Sequence, residues 1–180
     1  MGIIDELPDN LPTTEEKIEN AFRECQKEKR EVVKTRTFIE VPPEEYHNYL
    51  DSAIGALNAA KILLDNHCYE WVIVPAYSAI YQVANAILIK ELGKECRDHF
   101  CILITLLKIK KIGWEEFRDA NYVQKILEKV SEEDIKFASK LRLARSAVIY
   151  KPAPSYNEAE IAKEVLERAK KFVNAVISIL

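Results

Sequence analysis

The sequence predicts an all-α protein: an up-and-down bundle of four main helices with an extra N-terminal helix and one short helix. Apolar residues recur every three or four positions through several long stretches, which is the period of an amphipathic α-helix. No stretch of useful length alternates apolar and polar residues as a half-buried strand does. Most of the helical stretches are joined by short turns, which favours antiparallel packing of neighbouring helices.

The length and composition fit one globular domain, or one domain with an added segment. The chain has 180 residues, of which 48% are hydrophobic and 31% charged, and it has only four glycines, which excludes disordered and collagen-like proteins. The formal net charge of -3 provides no overall attraction to nucleic acid or to an acidic membrane. Binding to a polyanion therefore requires a local basic patch, and no DNA-binding signature is present.

The N-terminal part, residues 1–42, is predicted to be a flexible leader followed by a charged helix. Thr13 and Glu16 have the spacing of a capping box at a helix start. The helix mixes basic and acidic residues along its length, which is typical of a solvated helix with internal ion pairs and not of a nucleic-acid arm. We expect this helix to pack against the larger helical bundle.

The bundle is predicted to span residues 43–180. Pro42 and Pro43 disfavour a helix immediately before them and suit the first turn of a helix that runs to about residue 65. The next helix, at about 69–92, is apolar on most faces, so we expect it at the centre of the core. It stops at Gly93, a residue suited to a C-terminal cap.

The second half of the chain predicts four more helices. An amphipathic run at about 98–110 is followed by a break at Gly113 and a short helix at about 114–128. A helix from Ser131 to Tyr150 keeps the helical period and ends before a proline-rich turn. Ser155 and Glu158 form a capping box that opens the last helix, whose apolar stripe is Ala162, Val165, Ala169, Phe172, Val176 and Leu180.

The cysteines are predicted to be buried free thiols. No Cys-x-x-Cys pair occurs among Cys25, Cys68, Cys96 and Cys101. The N-terminus lacks the pattern of a secretory signal, so we expect a reducing cytoplasmic location. The most apolar stretch, 71–92, is interrupted by polar and charged residues and is a poor candidate for a membrane span.

Residues 45–180 resemble the HEPN family, small helical domains named from higher eukaryotes and prokaryotes nucleotide-binding. The segment 76–88 matches the family's A-Y-x-A-x-x-x-x-A-x-A-x-L signature. His99 follows the interhelical linker, where many members have a histidine. The segment from Arg145 to Tyr150 is similar to the family's R-x-x-x-x-Y helix end, and an Ala- and Glu-rich closing helix follows it.

This resemblance implies a helical bundle that commonly forms homodimers. Some members are ribonucleases, often in toxin-antitoxin systems, and others pair with a small nucleotidyltransferase. The ribonuclease members carry an arginine, four to six residues, and then a histidine. Arg145 is followed by Ser146, but no histidine stands in the window, which ends in Tyr150, Lys151 and Pro152. This departure argues against nuclease activity, and we assign no catalytic residue.

The best candidate site is a ligand- or RNA-binding site formed by Arg145, Tyr150, Arg142 and His99. A guanidinium can hold a phosphate through its fork of donors, whereas a tyrosine of pKa about 10 is a poor base near neutral pH. Our hypothesis is therefore a non-catalytic module that binds a nucleotide, RNA or a nucleotidyltransferase partner. Two alternatives remain open: a degenerate metal-free ribonuclease that uses His99 or Tyr150, and a dimerisation scaffold without a ligand.

Each candidate residue also has a structural interpretation. Arg145 can pair with an acid of a neighbouring helix, and Tyr150 can cap the core. His99 stands beside Asp98 at a helix start, where a histidine is more often a structural cap or a partner of that carboxylate. Tyr77 and Tyr81 could stack on a base, but we favour a core role for both. The three histidines have no metal-ligand spacing and no cofactor motif is present, so no metal or cofactor is predicted.

Overall fold

The structure is a computed structural model that describes residues 12–26, 37–127 and 158–180. It confirms the all-α prediction. The predicted helix 131–150 lies outside the described residues. The helices are α1 (Glu15–Gln26), α2 (Tyr46–Asp65), α3 (Tyr69–Leu92), α4 (His99–Lys108), α5 (114–127) and α6 (Glu158–Ile177). A 3-10 turn, Pro43–Glu45, leads into α2.

Helix α3 is the central element, as its apolar character predicts. It packs against α2, α4 and α6, and Val72, Val83 and Leu88 are fully buried in the core. Gly93 ends the helix in the left-handed conformation, with φ of 63°, where a side chain would be strained. By length and composition the segment Trp71–Leu92 could also cross a membrane, and 67% of its most apolar window is buried inside the protein, as in the core helix of a soluble protein.

Helix α6 closes the core against α3. Every member of its predicted stripe up to Val176 is buried, and Leu180 is partly buried against the same core. The face of α6 that carries lysine and glutamate stays exposed. The helical period in the sequence therefore predicts correctly which face of α6 enters the core.

Two short strands were not predicted. The strands β1 (Phe38–Glu40) and β2 (Lys94–Cys96) pair antiparallel, with Phe38 opposite Cys96. Three residues are too few to show a recognisable alternation, which is why the sequence pattern missed them. The buried side chain of Asn85 accepts a hydrogen bond from Cys96 N at 2.8 Å and donates one to Cys96 O at 3.2 Å, so it fixes β2 on α3.

The start of α1 differs by one residue from the prediction. Thr14, not Thr13, caps the helix: its Oγ1 accepts a hydrogen bond from Lys17 N at 3.3 Å, and its carbonyl accepts one from Ile18 N at 2.9 Å. The third residue after this cap is lysine, so the predicted capping box is wrong. Both threonines offer a hydroxyl, and only the backbone path selects between them.

The prediction of buried free thiols is wrong for three of the four cysteines. Cys25 of α1 and Cys101 of α4 form a disulfide, and Cys68 is exposed, so only Cys96 is both buried and outside a disulfide. The two cysteines are 76 residues apart, so the sequence pattern does not show that they pair. The disulfide forms because α1 packs mainly on α4, which brings the two Cα atoms to 5.6 Å. A cytoplasmic location stays a prediction.

Candidate functional site

The predicted site is only partly within the described residues. Arg142, Arg145 and Tyr150 lie outside them. His99, the fourth predicted residue, is the first residue of α4 and is half-buried. Among the described residues no group of histidine, cysteine, aspartate or glutamate side chains could hold a metal ion.

His99 belongs to an aromatic cluster that joins α4 to α3. Its ring centroid lies 4.9 Å from that of Tyr77 and 4.7 Å from that of Tyr81. Tyr81 donates a hydrogen bond to Cys96 O at 2.9 Å, and burial raises the pKa of its hydroxyl. These contacts agree with the core interpretation of Tyr81, in which a buried tyrosine hydroxyl reaches one partner.

The neighbouring carboxylate has a capping role. Asp98 precedes α4, and its Oδ1 accepts a hydrogen bond from Cys101 N at 3.0 Å, as an N-terminal cap does. Capping at the start of α4 thus belongs to Asp98. His99 contributes ring packing one residue further on, which favours a structural role over that of a proton-transfer group.

A cleft of about 540 Å³ lies between α5 and α6 and was missed by the sequence prediction. It is polar and charged. The cations that line it are Arg118, Lys125, Arg168 and Lys171, and the carboxylates are Glu115, Asp119, Glu164 and Glu167. Asn121 and Tyr122 complete the lining. The volume lies in the range of small-ligand sites, but the lining differs from the usual one, which is mostly apolar with a few polar groups.

Arg168 organises the wall of this cleft. Its Nη1 donates to Asp119 Oδ1 at 2.6 Å, and its Nη2 donates to Glu164 Oε1 at 2.8 Å. Its guanidinium carbon also lies 4.2 Å from the centroid of the Tyr122 ring. Burial alone would lower the pKa of Arg168, but the hydrogen bonds and charges of the two carboxylates outweigh this effect and raise it.

Tyr122 completes the network from α5. Its hydroxyl donates a hydrogen bond to Glu164 Oε2 at 2.8 Å. Burial raises the pKa of Tyr122 to about 12, and the hydrogen bond to Glu164 and the charge of that carboxylate act in the same direction. Near neutral pH this phenol is therefore a hydrogen-bond donor that holds α5 against α6, and it does not act as a base.

This network predicts a pH-dependent effect of Tyr122→Phe. At pH 7 we expect the variant to be less stable by about 1 kcal/mol, because Glu164 loses a donor. A tyrosine whose folded pKa is raised above the unfolded value of about 10 contributes its full stability below pH 10 and loses it as the pH rises towards 12. The gap between the two proteins should therefore shrink over that window.

Urea unfolding at pH 7 and at steps between pH 10 and 12 measures this gap. Tyr46→Phe is the matched control, because no hydrogen bond of the Tyr46 hydroxyl is found within the described residues. Equal losses of stability in wild type and Tyr122→Phe between pH 10 and 12 would contradict the prediction.

The sequence profile of the HEPN domain matches residues 46–179, nearly three-quarters of the chain. The match begins at the first residue of α2 and extends past the end of α6, so it includes the cleft and leaves α1 outside. No curated protein and no solved structure matches the chain.

Proposed function

Because this chain belongs to the HEPN domain family, whose helical modules are connected with nucleotides and RNA, we propose that it binds the phosphate groups of a nucleotide or of RNA near Arg145 and Tyr150 without cleaving them. The observation that carries the proposal is Arg145 without a following histidine. The three histidines of the chain, His47, His67 and His99, all precede it in the sequence.

The chemistry of these residue types separates binding from cleavage. A guanidinium is charged at any physiological pH and can donate two parallel hydrogen bonds to phosphate oxygens. Metal-free cleavage of RNA also needs a group that exchanges a proton near neutral pH, and histidine suits this task best. His99, half-buried against two tyrosine rings, has a setting that suits packing. Arg145 is thus suited to hold a phosphate, and no histidine follows it in the sequence to act as the base.

Arg145→Ala is expected to weaken binding of a short single-stranded RNA or of a nucleotide by about tenfold or more, because charge-assisted hydrogen bonds to phosphate contribute about 1.5–3 kcal/mol. Fluorescence anisotropy with labelled RNA and calorimetry with nucleotides measure the change. Arg23→Ala is the matched control, since Arg23 lies on the exposed face of α1 and pairs only with Glu19 among the described residues.

The other outcomes are equally informative. Binding by Arg145→Ala equal to that of wild type would refute the assignment of the site. RNA cleavage that depends on Arg145 would replace our proposal with the degenerate ribonuclease. If the wild type bound neither RNA nor any nucleotide, the phosphate-binding proposal would be wrong, and a scaffold or a nucleotidyltransferase-binding module would take its place.

We also propose that the module is a homodimer, as HEPN domains commonly are. The proposal is supported by apolar side chains left exposed on the central and C-terminal helices: Trp71 is 61% exposed, Val74 52% and Ile177 37%. Ile179, just after α6, is 45% exposed. Light scattering on the same samples measures the mass, and a mass of one chain at micromolar concentration would contradict a dimer.

A further inference from the structure

The hydrogen-bonding groups of the α5–α6 cleft are unequally satisfied. Most of its acceptors already have donors. Asp119 accepts from Arg168, and both oxygens of Glu164 are occupied, one by Arg168 and the other by Tyr122. Glu167 forms an ion pair with Lys170 at 2.7 Å. The carboxylates of the cleft wall are therefore largely engaged within the protein.

The unsatisfied groups are mainly donors. Asn121 is only 7% exposed, and its Nδ2 has no hydrogen-bond partner within the part of the chain that the structure describes. An unpaired buried amide is costly, and each such group in a folded protein calls for an explanation. Asn121 lies in the wall of the cleft with its Nδ2 sealed from solvent, and a turn of the side chain would bring this donor to a ligand bound there.

Two cations extend this set of donors. Arg118 on α5 and Lys171 on α6 line opposite sides of the cleft, and neither has an ion-pair partner among the described residues. Arg118 and Asn121 are three positions apart on α5, so they lie on neighbouring parts of one helix face. Donors that face a cleft whose carboxylates are mostly engaged favour an anion rich in hydrogen-bond acceptors.

We propose that the cleft between α5 and α6 binds a phosphate group of a nucleotide, with Arg118 and Lys171 supplying charge and Asn121 a donor that reaches the ligand when its side chain turns. A volume of about 540 Å³ exceeds the needs of a single phosphate ion and falls within the range of small-ligand sites. The choice of a nucleotide as the carrier of the phosphate rests on the proposed function. The site itself is separate in sequence from Arg145.

Glu115 allows a test with the opposite expected effect on affinity. It is the cleft carboxylate that has no hydrogen bond or ion pair within the described part of the chain. Its charge opposes an incoming phosphate. Neutralising it should therefore tighten binding, whereas removal of a cation should weaken it. A merely structural role of these exposed side chains would not produce opposite effects on affinity.

The test is calorimetry of the full chain at low salt with AMP and with inorganic phosphate. We expect Arg118→Ala and Lys171→Ala each to weaken AMP binding by about fivefold, and Glu115→Gln to tighten it by about twofold, because partly exposed charge pairs contribute about 1 kcal/mol or less. Lys163→Ala, an exposed lysine of α6 outside the cleft, is the matched control and should bind like wild type.

The titration with inorganic phosphate distinguishes a site for a nucleotide from a site for free phosphate. If the cleft recognises a nucleotide, inorganic phosphate should bind more weakly than AMP and show the same dependence on Arg118 and Lys171. Equal affinity for phosphate and AMP would overturn the nucleotide assignment. AMP affinity unchanged in both cation variants, or no AMP binding by the wild type, would overturn the cleft site.

Arg145→Ala in the same titration keeps the two proposals distinguishable. Loss of AMP binding in Arg145→Ala but not in the cleft variants would refute the cleft and support the proposed function. The reverse pattern would support the cleft and refute the assignment of the nucleotide to Arg145. Circular dichroism of each variant verifies that the helices are retained.

Discussion

Loss of the Cys25–Cys101 disulfide is expected to lower the free energy of unfolding by about 4 kcal/mol. The bond joins residues 76 positions apart, and cross-linking so long a segment removes much conformational freedom from the unfolded chain. It also holds α1 against α4, where Phe22 packs on the core and Glu19 pairs with Lys108. The ion pair is exposed and contributes little, so the covalent link and the packing of Phe22 hold α1 in place.

Urea unfolding of wild type, of Cys25→Ala and of wild type with a dithiol reductant measures this effect. The variant and the reduced protein should both unfold at lower urea than the oxidised wild type. Cys68→Ala is the control, because Cys68 is exposed and free. Non-reducing peptide mass spectrometry should find the 25–101 cross-link, and an unchanged unfolding midpoint after reduction would contradict the prediction.

The second large effect is expected from Phe172→Ala, which should also cost about 4 kcal/mol. Phe172 is fully buried on α6, and truncation of a buried phenylalanine to alanine leaves a cavity and removes apolar contacts, with a typical cost of about 3–5 kcal/mol. Because α6 closes the core against α3, the loss should appear as a lower midpoint of a single cooperative transition.

Thermal and urea unfolding of Phe172→Ala beside Ile179→Ala provide the comparison. Ile179 is 45% exposed near the C-terminus, so its truncation should change the stability by less than about 1 kcal/mol. Similar losses in the two variants would indicate that α6 is not part of the core. Such a result would also remove the basis for the cleft, since α6 forms one of its walls.

The candidate sites show where prediction from sequence stops. The Arg145 motif is readable because its residues are close together in the chain, and His99 was recognisable as the start of a helix. The hydrogen-bond network of the cleft could not be predicted from the sequence. Asp119 and Arg168 are 49 positions apart, and Tyr122 and Glu164 are 42 apart, so each residue appears only as one more polar position on an amphipathic helix.

By itself the sequence determined the features that depend on neighbouring residues. These are the bounds of α3 and its glycine cap, the buried stripe of α6 and the membership of residues 46–179 in the HEPN family. Helix period and helix ends are local properties, because side chains three or four positions apart share a face.

Only the tertiary structure decided which distant residues meet. It paired Cys25 with Cys101, joined β1 to β2 and placed the donors and acceptors of α5 opposite those of α6. The physical reason is that such contacts depend on how whole helices pack. The same local periodicity is compatible with several arrangements of the helices, and each arrangement brings different residues together. The Cys25–Cys101 bond and the Arg168 network follow from that packing.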